Sequence, residues 1–317
     1  TYLIYQTFFE PIIKSIDADI KYLIIASDGM ISKVAVSGLV TDTLGNRNDY
    51  RELNYVVNQF SVRHVLSANE LLKTNKHKYE EPGSIIGFAP TFKSNSNLPF
   101  SKILIQKLKD KVKGVYYLKE DATKEKFQFQ APNFQVVQLS THAEADIGEM
   151  MKSKIHFSDI NGQSDYITLD SIYKIKFQTQ LAVLSACETN IGRMEYGEGS
   201  LNFARAFLYA GCESTLTTQW KVDDKTTSGI LLEFYNNLMD GYRLSESLQE
   251  AQLSYLKNCK SSAEAHPFFW SSLLITGSDM TVSLDKKNNY LIYGIAISTL
   301  IFFPIWFWTK RYRSKNE

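Results

Sequence analysis

Two segments of this chain are apolar almost without alternation: VVQL at 136–139, which runs into Ser-Thr-His-Ala, and LAVL at 181–184, which runs into Ser-Ala-Cys-Glu. A strand with one wet face alternates apolar and polar residues, whereas a strand covered on both faces reads as a continuous Val/Leu run. Both segments therefore predict buried strands of a parallel sheet with helices on either side. In open sheets of this kind, reactive groups gather just beyond the carboxyl ends of the strands. The pattern puts His142 and Cys187 at two such ends, 45 positions apart, enough for a crossover connection between parallel neighbours.

The remaining segments extend the alternation of strand and helix. KYLIIASDGMISKVAV reads as strand, turn and strand, with Asp28-Gly29 as the turn. HVLSANELLK reads as a strand leading into a helix that Ser67 or Asn69 would cap. GSIIGFAP is a short buried strand, and SKILIQKLKDKVKG a helix stopped by Gly114. After Cys187, the glycines at 192, 197 and 199 predict a flexible loop, followed by the helix SLNFARAFLYAG and a strand over Thr215–Trp220. Helices TSGILLEFYNNLMDG and LSESLQEAQLSYLKN and a last strand in FFWSSLLITG complete the order. The first residues, TYLIYQTFFEPIIKSI, have the spacing of an amphipathic helix, and a chain opening on Thr1 is read as the C-terminal piece of a longer polypeptide. The order implies an α/β sheet with crossovers.

Composition narrows the function classes. At 317 residues and 44% hydrophobic content the chain can bury a core, and 35 basic against 34 acidic residues offer no nucleic-acid surface. Cys187, Cys212 and Cys259 form neither a CxxC pair nor a disulfide framework, so neither a metal site nor a cofactor is expected. His142-Ala143-Glu144 is half of a zinc-deaminase signature whose PCxxC half is absent. GEGS at 197–200 has no lysine to make a phosphate loop. Glu144 and Asp146 read as the acidic start of a following helix, His64, His77 and His156 have no evident partners, and His266 reads as a turn residue before Pro267.

A thiol beside an imidazole is the minimum equipment for cysteine-nucleophile catalysis. Cys187 is the candidate nucleophile, and His142 the group that takes its proton and later returns it to the leaving amine. An adjacent imidazolium lowers a cysteine pKa from about 8.5 to between roughly 3.5 and 7.5. The backbone N–H groups of Ala143 and Cys187 are candidates for holding the oxyanion, a contribution worth roughly 3–4 kcal/mol. Asp223 and Asp224, just past the strand at Trp220, read either as solvated loop charges or as the lining of a pocket that receives a basic side chain.

The C-terminal segment differs. Tyr290–Trp308, YLIYGIAISTLIFFPIWFW, is 19 residues without a charge, long enough at about 1.5 Å per residue to span most of a roughly 30 Å hydrocarbon layer. Tyr290, Tyr293, Trp306 and Trp308 stand where interfacial aromatics would. The expectation is a single transmembrane helix at 290–308 in contact with the lipid bilayer, with 309–317 as a basic tail. Lys310, Arg311, Arg313 and Lys315 follow the run against Lys286 and Lys287 before it, which predicts a cytoplasmic tail and a periplasmic or extracellular body. The alternative is a cytoplasmic domain with a tail anchor.

The order of motifs resembles the CHAT domain, a family of caspase-like, clan CD cysteine peptidases related to separases. The likeness runs through YLIIASDGMISKVAVSGL, HVLSANELL, LSTHA, LAVLSACETNIG with the later GEG, LNFARAFLYAGCESTLTTQWKVDD, FYNNLMDG and HPFFWSSLLITG. Two positions depart from the usual pattern: Ala143 replaces the glycine after the histidine, and Ser27 the proline before the Asp-Gly turn. The resemblance implies a caspase-like three-layer sandwich over residues 1–284, with an N-terminal part at 1–130 and a catalytic part at 131–284. It implies His142 and Cys187 as the dyad of a cysteine endopeptidase acting on a protein or peptide substrate, regulated by upstream tetratricopeptide repeats of the same polypeptide. By likeness to separases, the acidic residues after Trp220, Asp223 and Asp224, are expected to recognise an arginine or lysine before the cut bond, with Glu188 and Trp220 as further substrate-binding candidates. The alternative is a catalytically silent caspase-like scaffold or signalling interaction module.

Overall fold

A computed structural model of the chain describes residues 1–287 except 27–28, 43–47, 73–80, 93–97, 147, 159–164, 186–192, 196–198 and 222. The chain divides into two compact units, Thr1–Asp285 and Lys286–Glu317. The first is built on an eight-stranded sheet in the order β1-β2-β13-β12-β9-β5-β3-β4. Its strands are β1 (Tyr22–Ile25), β2 (Ser61–His64), β3 (Glu81–Ala89), β4 (Gly114–Leu118), β5 (Phe134–Leu139), β9 (Leu181–Leu184), β12 (Ser214–Thr218) and β13 (Leu273–Gly277). β4, β3, β5, β9 and β12 are parallel neighbours, β1 and β2 are parallel to each other, and β13 runs antiparallel to β12.

The uninterrupted apolar runs follow from two cores. Ile85, Val136, Leu181 and Val183 face one way, onto α3 (Pro99–Lys111), α7 (Asp224–Met239) and α8 (Leu244–Asn258). Their chain neighbours Ile86, Val137, Ala182 and Leu184 face the other way, onto α4 (Lys124–Gln130), α5 (Leu169–Tyr173) and α6 (Phe203–Tyr209). With successive residues pointing to opposite faces and both faces dry, every position favours an apolar side chain. Phe127 of α4, fully buried against Phe88, Phe157, Phe177 and Phe207, is a residue whose truncation to Ala would cost about 3–5 kcal/mol.

Local chemistry sets the helix starts. Thr123, Thr168, Asn202 and Asp223 cap α4, α5, α6 and α7 through side-chain oxygens. Leu98 at the start of α3 has no capping side chain. Instead the carboxylate of Asp224 reaches across to accept from the Phe100 N–H at 2.8 Å, the Ser101 N–H at 3.0 Å and the Ser101 hydroxyl at 2.5 Å.

Several expectations change. The segment from Gly29 to Gly38 forms 3-10 turns rather than a second strand. The start of the chain is helical but broken into α1 (Tyr2–Ile4), a π-helical stretch Tyr5–Phe9 and α2 (Glu10–Ile13). Gly114 does not stop α3 but opens β4, where a Cβ would lie 2.0 Å from the Ile85 carbonyl oxygen. A short helix α9 (Pro267–Trp270) precedes β13. Two small sheets were not foreseen: β6 (Ala143–Glu144), β7 (Lys154–Phe157) and β8 (Asp165–Thr168) pair antiparallel, as do β10 (Arg193–Glu195) and β11 (Gly199–Leu201) within the expected glycine loop.

The transmembrane helix is corrected as well. Among the described residues no helix is long and apolar enough to cross a membrane. The longest, α7, has 16 residues, a length of about 24 Å against the roughly 30 Å hydrocarbon layer. Residues 290–308 lie outside the described residues. The described helices thus do not support the expected single-pass anchor, its lipid contact or the localisation drawn from it.

Candidate active site

Because β5, β9 and β12 are parallel neighbours with β9 in the middle, their carboxyl ends share one rim. Just past β5 come Ser140, Thr141 and His142; past β9, Ser185; past β12, Gln219 and Trp220. The sheet order also reverses at this place. From β3 the chain crosses to β4 on one side, whereas from β5 it crosses to β9 and then to β12 on the other. Crevices of α/β sheets open at such switch points, and here Phe92, after β3, meets His142, after β5, with ring centroids 4.9 Å apart.

His142 is half-buried and held by its own main chain. Its carbonyl accepts the His156 N–H at 2.9 Å, and the hydroxyl of the preceding Thr141, fully buried, donates to the His156 carbonyl at 2.6 Å. Ala143 is paired with Ile155 in the β6–β7 ladder. Glu144 belongs to β6 and not to a helix, and its Oε1 lies 3.2 Å from His156 Nε2. Burial pushes the His156 imidazole pKa below its ordinary value, and the Glu144 carboxylate opposes that shift. Asp146 accepts the N–H groups of Gly148 and Glu149 in a turn.

His156 is therefore a residue of this site that sequence reasoning missed. The available signal was KIHF at 154–157, whose buried Ile155 and Phe157 alternate with half-buried Lys154 and His156, the pattern of a strand with one wet face.

The other expected residues fall as follows. Trp220 donates its indole N–H to the Phe268 carbonyl at 2.9 Å and stacks on the Phe268 ring at 6.1 Å. The Asp223 carboxylate caps α7 by accepting the Thr226 N–H at 2.8 Å, and that of Asp224 caps α3. Cys187 and Glu188 lie outside the described residues. Cys212 is buried, with its thiol pKa well above the ordinary value through desolvation. Cys259 donates to the Tyr255 carbonyl at 3.3 Å and is also raised by burial. Among the described residues no group of three or more His, Cys, Asp or Glu side chains is arranged to hold a metal ion.

Comparisons with known proteins agree with this architecture. Mouse (Mus musculus) tetratricopeptide repeat protein 28 is 29% identical over 166 residues, which are 50% of this chain and 6% of that protein. The chain thus spans a small fraction of the length of the relative it matches. Among solved structures, the Arg-specific cysteine proteinase gingipain R superposes with a TM-score of 0.54 at 12% identity, covering 89% of this chain and 68% of that one. The Saccharomyces cerevisiae separase in its securin complex gives 0.48 at 14% identity, over 72% of this chain and 14% of that one. The fold, mixed α/β and caspase-like with a mainly parallel sheet, is shared with gingipain R. With the CHAT domain model matching residues 2–278, the chain belongs to the CHAT domain family.

Proposed function

We propose that residues 1–284 form a cysteine endopeptidase domain, with its catalytic part at 131–284, that cleaves a protein or peptide substrate through Cys187 and His142. The observation that carries the reading is the position of His142 at the sheet's switch point, beside the parallel strand β9, whose sequence reaches Cys187 two residues after Ser185. In the reaction His142 takes the thiol proton, the Cys187 thiolate attacks the scissile carbonyl, and the imidazolium returns the proton to the leaving amine. Water then attacks the acyl-enzyme, with His142 acting as base, and the carboxylate product leaves. The N–H groups of Ala143 and Cys187 are the oxyanion donors in this scheme. In this reading Trp220, which stacks on Phe268, and the carboxylates of Glu188, Asp223 and Asp224 bind the substrate, the negative charge suiting a basic substrate residue. The match to a tetratricopeptide repeat protein supports regulation by an upstream repeat region of the same polypeptide.

The test is to label the full chain with an iodoacetamide-type thiol probe from pH 5 to 9 and locate the label by mass spectrometry. Labelling of Cys187 well below pH 8, abolished as an advantage in His142→Ala, supports an assembled dyad. A Cys187 that labels no faster than Cys212 and Cys259 in both proteins rejects it.

A further inference from the structure

Directly beneath the rim lies a closed polar cluster in an otherwise apolar core. Gln138 of β5, 0% exposed, donates from its side-chain amide to the Ser140 hydroxyl and to the Ser185 hydroxyl, both at 3.0 Å. The two serine hydroxyls lie 3.1 Å apart, and Ser185 also donates to the Leu139 carbonyl at 3.1 Å. The Gln138 carbonyl oxygen accepts the phenol of Tyr235, from the middle of α7, at 2.8 Å. Ser140 is 1% and Tyr235 0% exposed, and burial holds the phenol pKa well above its ordinary value, so it stays a neutral donor. Both amide hydrogens of Gln138 and its oxygen are used within a region where an unpaired polar group is costly.

The cluster spans the gap between β5 and β9 at the place where their ladder ends. Ser140 is two residues before His142 and Ser185 two before Cys187. The backbone there is also tied, with the Ser140 N–H on the Phe88 carbonyl at 2.9 Å and the Ser185 N–H on the Leu139 carbonyl at 3.0 Å. A glutamine near the end of a buried strand gives up burial energy that Leu would supply, and what it offers in exchange is directional bonding to two strands and one helix.

We infer that Gln138, Ser140, Ser185 and Tyr235 form a buried clamp, in which Gln138 joins the ends of β5 and β9 and Tyr235 anchors it, and that this clamp positions the imidazole of His142 relative to the thiol of Cys187. The inference rests on the peptidase reading above; the four are positioning residues and touch no substrate.

The test uses the full chain and Tyr235→Phe, which removes one hydroxyl and leaves the Gln138 oxygen unpaired, a loss that shifts a local equilibrium about tenfold. Amide hydrogen exchange at Ser140 and Ser185 should then accelerate by about that factor while Val183 in the middle of β9 is unchanged. The low-pH labelling rate of Cys187 should fall about tenfold, with the rates of Cys212 and Cys259 unaltered. Unchanged exchange at the strand ends in a folded variant overturns the clamp, and faster exchange with an unaltered Cys187 pH profile overturns its positioning role. Should Tyr235→Phe not fold, Ser140→Ala removes one acceptor of Gln138 and leaves the others, with the same outcomes expected. A wild-type Cys187 without any low-pH advantage rejects the peptidase reading by itself, and the exchange measurement still decides whether the network is a clamp.

Discussion

His142 and His156 face each other across the β6–β7 ladder, the main-chain N–H of His156 donating to the His142 carbonyl at 2.9 Å. The two rings flank Phe92, whose centroid is 4.9 Å from one and 6.5 Å from the other. His156 titrates below its ordinary pKa because burial disfavours its charged form, while Glu144 at 3.2 Å favours it. In Glu144→Gln the opposing pull is gone, so the His156 midpoint should move further down. Ring-proton NMR titration checks this, and an unmoved or raised midpoint contradicts the pairing.

Acid should weaken the fold through His64. This side chain is buried on β2 without a hydrogen-bond partner for Nε2, and desolvation lowers its pKa from 6.5 to about 4. The folded state therefore binds the proton less readily than the unfolded chain. The stability tied to neutral His64 is fully present above pH 6.5 and is lost as pH falls toward 4, the loss amounting to about 2 kcal/mol at pH 5. His64→Leu should flatten that part of the pH dependence in urea titrations at pH 7 and pH 5. A wild-type midpoint equal at the two values would contradict it.

Asp224→Ala should uncap α3 without touching its sequence. Loss of the acceptor for the Phe100 and Ser101 N–H groups is expected to cost about 1–2 kcal/mol and to speed amide exchange in the first turn of α3, leaving the middle of α7 protected. Exchange spread evenly over both helices would argue against the cross-helix cap.

Two Gly→Ala substitutions should have opposite signs. At Gly114 the new methyl would meet the Ile85 carbonyl oxygen at 2.0 Å, a backbone atom that cannot swing aside, so β3 and β4 must separate and a loss of about 3 kcal/mol or more is expected. At Gly229, inside α7, nothing lies within 4 Å of the added Cβ, and Ala should stabilise by about 0.5–1 kcal/mol. Thermal melts of the two variants check the pair.

The readable parts of this fold were those with long, uniform environments. β5 and β9 announce themselves because both faces are dry, and α7 and α8 because fifteen or sixteen residues sustain one helical period. The site was harder. β6 is two residues long and the alternation in the four of β7 is brief and names no partner, so Glu144 looked like a helix start and His156 looked partnerless. The glycines at 192, 197 and 199 suggested a plain loop, yet Arg193–Glu195 pairs with Gly199–Leu201. Gly114 shows the same ambiguity: after a helix the residue reads as a stop, and only the closeness of Ile85 explains it. Asp224 is the reverse case, a surface carboxylate by sequence whose partners come from a helix 123 positions earlier.

The burial of Cys212 gives the domain an internal clock. Its sulfur sits in the core between α6 and the sheet at 3% exposure, so a reagent reaches it only when that core opens. At saturating reagent its modification rate becomes the opening rate itself, measured in the native protein without denaturant. How fast this half of the molecule breathes, with and without a bound partner, can thus be timed from one native side chain.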